Sequence, residues 1–231
     1  MTKKVAIIQS NFLPWKGYFD FIRKVNDFVF FDTCQYTKRD WRNRNKIKVC
    51  NGDPWISIPV KTKNKFNQKI NETIVSDSNW ASNIWNKIEY NYKKAPHYSY
   101  VKEKLYDGHM RNVSTQNLSE INQGLIKFIC KEFLDISTNF HNSSDFNLNE
   151  DKNLRLIEIT NKLNGTEYIS GEAAKCYLDE KLFTNNQIKL TFMDYSSYPI
   201  YEQLHGEFNH FVSIIDLLVM KGSESKFYLK N

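Results

Sequence analysis

The amino-terminal stretch constrains this chain most. Val5 to Gln9 is a short β-branched run with the character of a buried strand. Ser10-Asn11-Phe12-Leu13-Pro14 follows, with Pro14 placed for the first turn of a helix through about Val25. Asp27 to Asp32 (Asp-Phe-Val-Phe-Phe-Asp) is a second apolar strand. Strand, helix and strand in such close succession form a βαβ unit, whose crossover helix returns the chain so that the two strands run parallel.

The rest of the chain continues the alternation. Trp55 to Val60 has strand composition, with Pro59 arguing for an edge. From Trp80, Ala81, Ile84, Trp85, Ile88 and Tyr92 repeat at helical spacing until Pro96. A second stripe, Leu118, Ile121, Leu125, Ile129 and Phe133, predicts a helix near Leu118 to Leu134; both stripes read as core packing. Residues 137–150 are rich in Asn and Ser without periodicity, which predicts a loop and a possible lobe break within one α/β domain spanning 1–231. Leu154 to Leu163 is helical and stops at Asn164-Gly165. Thr166 to Ile169 is a strand, Ser170-Gly171 a turn, Glu172 to about Leu182 a helix, Ile188 to Phe192 a strand, and Ser213 to Met220 a last helix. The expected class is α/β: a mainly parallel, Rossmann-like sheet with helices on both faces and a helical side layer in the middle of the chain.

Composition removes several function classes. No apolar run approaches the roughly 18–20 residues of a membrane span. Only a four-residue apolar run, Val5 to Ile8, leads up to Gln9, too short for a signal-peptide core, so a cytoplasmic protein is expected. Cys34, Cys50, Cys130 and Cys176 form no C-x-x-C pair, and His205 and His210 lack the i, i+4 spacing of a helical metal site; no metal is expected. With eight Gly in all, there is no G-x-G-x-x-G and no Walker loop. The net charge of +6 is mostly lysine, but three of the six arginines, Arg39, Arg42 and Arg44, fall close together between Lys38 and Lys46. Guanidinium forks suit phosphate and carboxylate, so this stretch reads as an anion site rather than a solvated loop. If it is extended, Arg42 and Arg44 share one face, and Arg39 and Trp41 the other.

A parallel sheet gathers the carboxyl ends of its strands at one edge, where ligands bind. That edge is expected to hold Gln9, Ser10 and Asn11, then Asp32 with the Lys38–Arg44 stretch, Ser170 and Gly171 after the strand that carries Tyr168, and Asp194 with Tyr195. Ser170-Gly171 at a helix start offers backbone N–H groups to an anion. Ser213-x-x-Asp216 beside His210 reads as a helix capping box and not as a catalytic triad, since the glycine-flanked nucleophile elbow is missing.

Several blocks together resemble one family. Gln9-x-x-x-x-Pro14-Trp15-x-Gly17-Tyr18-Phe19, Asp27 to Asp32, and Gln35-Tyr36-x-Lys38-Arg39-x-Trp41-Arg42-Asn43-Arg44-Asn45 are similar to the opening of the WbqC-like family. Tyr90-x-x-x-Lys94-Ala95-Pro96, Tyr168-Ile169-Ser170-Gly171 with Tyr177-Leu178, and Phe208-x-His210-x-x-Ser213-Ile214-Ile215-Asp216-Leu217-Leu218 continue the likeness in order. The resemblance implies a role in bacterial surface-polysaccharide (O-antigen or capsule) assembly, alongside enzymes of nucleotide-linked amino sugars. Cys34 and His97 lie outside the pattern and are poor catalytic candidates.

The expected activity is N-acyl or aminoacyl transfer to the amine of a nucleotide-linked amino sugar. Lys38, Arg42 and Arg44 suit the diphosphate, Asp32 or His210 the base, and Gln9 or Asn43 the donor to the developing oxyanion. Asn11, Tyr168, Ser170 and Gly171 complete the expected substrate contacts. No coenzyme motif is visible, so the acyl donor is expected to be a carrier-protein thioester. Two alternatives stand beside it. A nucleotidyltransferase-like enzyme would carry a His-x-Gly-His turn where Trp15-Lys16-Gly17-Tyr18 stands, without either histidine. A non-enzymatic binder, of RNA or of a glycan-assembly partner, would use basic residues interleaved with Tyr36 and Trp41, although no RNA-binding motif accompanies them.

Overall fold

The computed structural model describes residues 2–148 and 151–230. The chain opens with β1 (Lys4–Ile8), α1 (Lys16–Arg23) and β2 (Asp27–Phe30). A two-stranded antiparallel ribbon follows, β3 (Arg44–Lys46) with β4 (Trp55–Ser57). Next come α2 (Trp80–Tyr92), α3 (Tyr98–Val101), α4 (Leu118–Phe133) and β5 (Asn139–Asn142). The last part holds α5 (Lys152–Lys162), β6 (Glu167–Ser170), α6 (Glu180–Asn185), β7 (Lys189–Phe192) and α7 (Ile214–Lys221). The main sheet has the order β5-β2-β1-β6-β7, and every neighbouring pair is parallel. The chain is therefore an α/β fold of Rossmann-like type.

Alternation along β1 explains the layers. Val5 and Ile7 enter one core with Val29, Tyr168, Ile157 and Ile159 of α5, and Phe183 of α6. Ala6 points the other way, into a larger core with Phe28, Phe30 and Ile169 that also takes the apolar faces of α1, α2, α4 and α7. Both faces of the sheet are covered by helices.

Four sequence expectations change. Residues 139–142 are not loop but the edge strand β5, with Asn139 opposite Asp27 and Asn142 opposite Phe30. Phe140 stacks on Phe30 at 5.5 Å between ring centres, and this one aromatic anchor holds a strand that is otherwise polar. Positions 149 and 150, at the end of the expected loop, lie outside the described residues. The strand near Trp55 is shorter than expected and belongs to the ribbon, not to the main sheet. The helix expected over 172–182 is two pieces, a tight 3-10 turn at Glu172–Cys176 and then α6, because Asp179 caps a fresh start by accepting from the N–H groups of Lys181 and Leu182. Finally, α1 begins at Lys16 with Trp15 as its cap, so Pro14 stands just outside the helix.

The stop after α5 works through two residues with different tasks. Asn164 takes the left-handed conformation, with φ 55°. Gly165 is needed for closeness: a Cβ there would lie 2.6 Å from Val5 Cγ2 and 2.8 Å from Thr160 Cγ2. Gly165→Ala should therefore push α5 from β1 and lower the free energy of unfolding by about 1–3 kcal/mol, the usual cost of overpacking. Urea unfolding measures this directly, and a parent-like midpoint would show that no such contact limits the packing.

Candidate functional site

The sheet order places a reversal between β1 and β6. From β1 the chain moves outward to β2 and β5, then crosses back to build β6 and β7 on the opposite side. Connections leave the two carboxyl ends in opposite directions there and open a crevice between them. A cavity of about 500 Å³ occupies that place, within the roughly 300–1,000 Å³ of small-molecule sites. Gln9 follows β1 into it, Phe31 and Cys34 follow β2, and Tyr168, Ser170 and Gly171 come from β6. Lys152 and Arg155, from the first turn of α5, and Tyr177 complete the polar part of the wall.

Each of these groups has a physical anchor. Tyr168 stacks on Phe183 at 5.4 Å, and burial raises its phenol pKa, so the hydroxyl stays protonated. The Gln9 carbonyl accepts from the Tyr18 hydroxyl at 2.9 Å. Cys34 donates from Sγ to the Phe31 carbonyl, 3.1 Å away. Burial pushes the Cys34 thiol up, against the pull of the Gln9 side chain and the Arg42 charge; it is a protonated thiol at neutral pH and not an activated nucleophile. Asp151 caps α5 by accepting from the N–H groups of Asn153 and Leu154. One turn on, Arg155 Nε donates to the Asp151 carbonyl at 3.2 Å, with the guanidinium 5.7 Å from the Phe31 ring centre.

Gly171 does not form the tight turn expected at Ser170-Gly171. Its backbone is extended (φ −72°, ψ 151°), and an added Cβ would only touch Tyr195 Oη at 3.8 Å. The short 3-10 turn behind it has no long helix dipole to aim at an anion. The cationic side of the crevice is the α5 wall instead, and Lys152 and Arg155 were not singled out by sequence. Their role depends on where a crossover helix lands, which no local pattern carries.

Several expected site residues lie elsewhere. Asp32 is buried and turned from the crevice into a neighbouring hollow of about 280 Å³. It accepts from Ser10 N at 2.8 Å, from the Ser119 hydroxyl and from Gln123 Nε2 at 3.4 Å. Arg42 donates to Asn11 Oδ1 and pairs with Asp40 at 3.6 Å. Arg44 lies 3.9 Å over the Trp55 ring and donates to the Arg39 carbonyl. These two arginines do not share a face: residues 38–43 are turns, with Arg39 at φ 61°, and strand alternation begins only at Arg44. Trp41, expected opposite Arg44, packs with it on Trp55, 4.9 Å between ring centres. Asn43 is fully engaged, donating to the Ile58 carbonyl at 2.7 Å and accepting from the Tyr36 hydroxyl at 2.9 Å. Lys38 stands 5.8 Å over Phe66 beside a separate hollow.

His210 belongs to a buried polar cluster around the start of α1. Its ring packs edge-on against Phe208 at 4.5 Å, and burial together with the charge of Lys16 keeps its pKa low, so the ring is neutral at pH 7. Lys16 is 2% exposed. Its ammonium donates to the Pro199 carbonyl at 2.7 Å and sits 5.3 Å and 5.2 Å from the rings of Tyr198 and Tyr201. Ser213 caps α7, accepting from Ile215 N at 3.3 Å and donating to the Leu13 carbonyl at 2.9 Å. Asp216, however, does not close a capping box. It is wholly buried and accepts from Tyr92, Tyr201 and Gln203 at 2.8–2.9 Å.

Lys16 carries a pH signature. Burial pushes its pKa down to about 8, with Asp216 acting the other way. Because the unfolded chain holds this proton to higher pH, it binds more protons than the folded chain above about pH 8, and folding gains stability as pH rises through that window. Lys16→Met should remove this component. Chemical unfolding of parent and variant from pH 7 to pH 10 is expected to show a shallower alkaline rise for the variant; parallel curves would contradict the assignment.

Among the described residues no cluster of three or more His, Cys, Asp or Glu is placed to hold a metal ion, and no helix is long and apolar enough to cross a membrane. The WbqC-like protein family matches residues 9–228. An uncharacterized protein of Mycobacterium tuberculosis (strain ATCC 25618 / H37Rv) is 44% identical over 228 residues, covering 99% of this chain and 98% of that protein. No solved structure matches.

Proposed function

The chain belongs to the WbqC-like protein family, and from that premise we propose a cytoplasmic transferase of bacterial surface-polysaccharide assembly, one that moves an acyl or aminoacyl group onto the amine of a nucleotide-linked amino sugar. The observation that carries this reading is the β1–β6 crevice: a cavity at the reversal point of a parallel sheet, with Lys152 and Arg155 on one wall and no carboxylate among its described lining residues. A diphosphate suits such a wall, the guanidinium as a fork and the ammonium as a point charge. Phe31 and Tyr177 offer ring surfaces to a base or sugar.

The donor in this reading is a carrier-protein thioester, and no coenzyme is required. The amine lone pair of the sugar attacks the thioester carbonyl carbon and a tetrahedral oxyanion forms. The C–S bond then breaks, an amide results, and the departing thiolate takes the proton that nitrogen sheds. Gln9, at the mouth of β1, is the side chain suited to donate to the oxyanion. Asp32 and His210 lie outside the crevice lining and have no part in this step.

One observation favours a second reading. No histidine, aspartate or glutamate lines the crevice among the described residues, which suits a protein that holds a nucleotide-linked sugar for a partner enzyme without reacting. Calorimetry with UDP-glucosamine and a thiol-release assay with an acyl-carrier thioester separate the two. Arg155→Ala should weaken UDP-glucosamine by about 1.5–3 kcal/mol, the range for hydrogen bonds to charged groups, and Arg44→Ala should leave it unchanged. Equal binding by parent and Arg155→Ala overturns the crevice assignment, and tight binding without thiol release selects the binder.

A further inference from the structure

We propose that Cys50 is a modification site: an exposed thiol, activated by His205, that takes up half of a low-molecular-weight disulfide as a mixed disulfide. The thiol stands at the tip of the β3–β4 hairpin. Val49 N donates there to the Gly52 carbonyl at 3.0 Å, which leaves Cys50 and Asn51 as the turning pair. Its Sγ lies 3.5 Å from Nδ1 of His205, which arrives 155 residues later from the irregular segment between β7 and α7.

The other ring nitrogen decides what this contact can do. His205 Nε2 lies 2.8 Å from the Asn91 carbonyl. A carbonyl only accepts, so Nε2 carries the hydrogen, and in the neutral ring Nδ1 is the lone pair that faces the thiol. Asn91 belongs to the last turn of α2, where carbonyls lack partners within the helix, so the imidazole is tethered to a fixed acceptor. Nucleophile, base and a third group that orients the base are the arrangement of an activated thiol. The other cysteines are placed differently. Cys34 and Cys176 donate to the carbonyls of Phe31 and Ala173 at 3.1 Å and 3.2 Å, and Cys130 is buried in the larger apolar core.

The exchange balances without a further oxidant. His205 Nδ1 takes the Sγ proton, and the thiolate attacks one sulfur of the disulfide in line with its S–S bond. A bond forms between Sγ and that sulfur as the old S–S bond breaks, and the departing thiolate takes the proton from Nδ1. Cys50 is oxidised to the mixed disulfide, and the released half is reduced to a thiol. Exchange needs only a nucleophile, a base and an open approach, which an exposed hairpin tip supplies; acyl transfer also needs a donor to the oxyanion. The inference is independent of the crevice, whose lining includes neither Cys50 nor His205.

The reduced full chain, incubated at pH 7 with glutathione disulfide and mapped by mass spectrometry, tests it. Cys176 is the internal reference, an exposed thiol whose Sγ donates to a carbonyl and not to an imidazole. Cys50 is expected to gain the glutathione adduct at least about tenfold faster than Cys176, because a positioned base takes its proton. His205→Gln should bring Cys50 down to the rate of Cys176, with urea unfolding checking that this variant keeps the fold. Cys50→Ser should remove the fast adduct. Equal rates at Cys50 and Cys176 in the parent would overturn the proposal and leave the contact as a tie between hairpin and segment. A fast Cys50 adduct that survives His205→Gln would overturn the dyad. So would a Cys50 that, at equal probe concentration, takes acetyl from an N-acetylcysteamine thioester faster than glutathione from the disulfide, which would make it an acyl acceptor.

Discussion

The fold turns on the loop Ser10–Pro14, where β1 hands over to α1. Three distant parts of the chain hold it by its backbone. Asp32 accepts from Ser10 N, and the Trp41 carbonyl accepts from Phe12 N at 3.0 Å. The buried Asn45 amide donates to the carbonyls of Phe12 and Leu13. From the far end, Ser213 donates to the Leu13 carbonyl and Ile214 N to that of Pro14 at 2.9 Å. Leu13 itself is fully buried with φ 41°, a left-handed conformation that costs a branched residue roughly 1–3 kcal/mol. Such strain persists only where the surroundings over-determine it. Here they do, and the same bonds dock the ribbon and α7 at the carboxyl edge where the crevice opens.

This dependence explains which features were legible in the sequence. β1 and β2 are runs whose composition alone declares them, because a strand buried on both faces must be apolar at nearly every position. β5 is an edge strand, and Asn139, His141 and Asn142 fit it as well as they fit a loop; only pairing with β2 decides. Gln9, Tyr168, Ser170 and Gly171 were found at the crevice because strand ends are predictable once the sheet is parallel. The arginine cluster misled for a local reason: Arg39 takes a left-handed turn, so even spacing no longer means a shared face. Lys152 and Arg155 carry no motif at all, and Cys34 enters the crevice only through the course of residues 31–34 behind β2.

The segment between β7 and α7 shows how a chain with only 41% hydrophobic residues still closes its core. Residues 193–213 hold neither helix nor strand, and tyrosines fix them from inside. Tyr198 donates to Asp20 of α1 at 2.7 Å, and Tyr201 to Asp216 of α7 at 2.8 Å, each ring buried with its hydroxyl on a carboxylate. Tyr92 makes the matching bond to Asp216 from α2. A tyrosine in this setting fills volume like an aliphatic residue and also supplies the donor that a buried carboxylate requires. Burial and the adjacent carboxylates raise the pKa of all three phenols. The donors therefore keep their protons through the neutral and mildly alkaline range, and the carboxylate–phenol bonds hold throughout it. Lys16 is the member of the cluster whose proton is loosely held. Its neutralisation leaves these bonds intact and removes only the cation from between the rings, so the segment responds to alkali through one residue while its anchors stay in place.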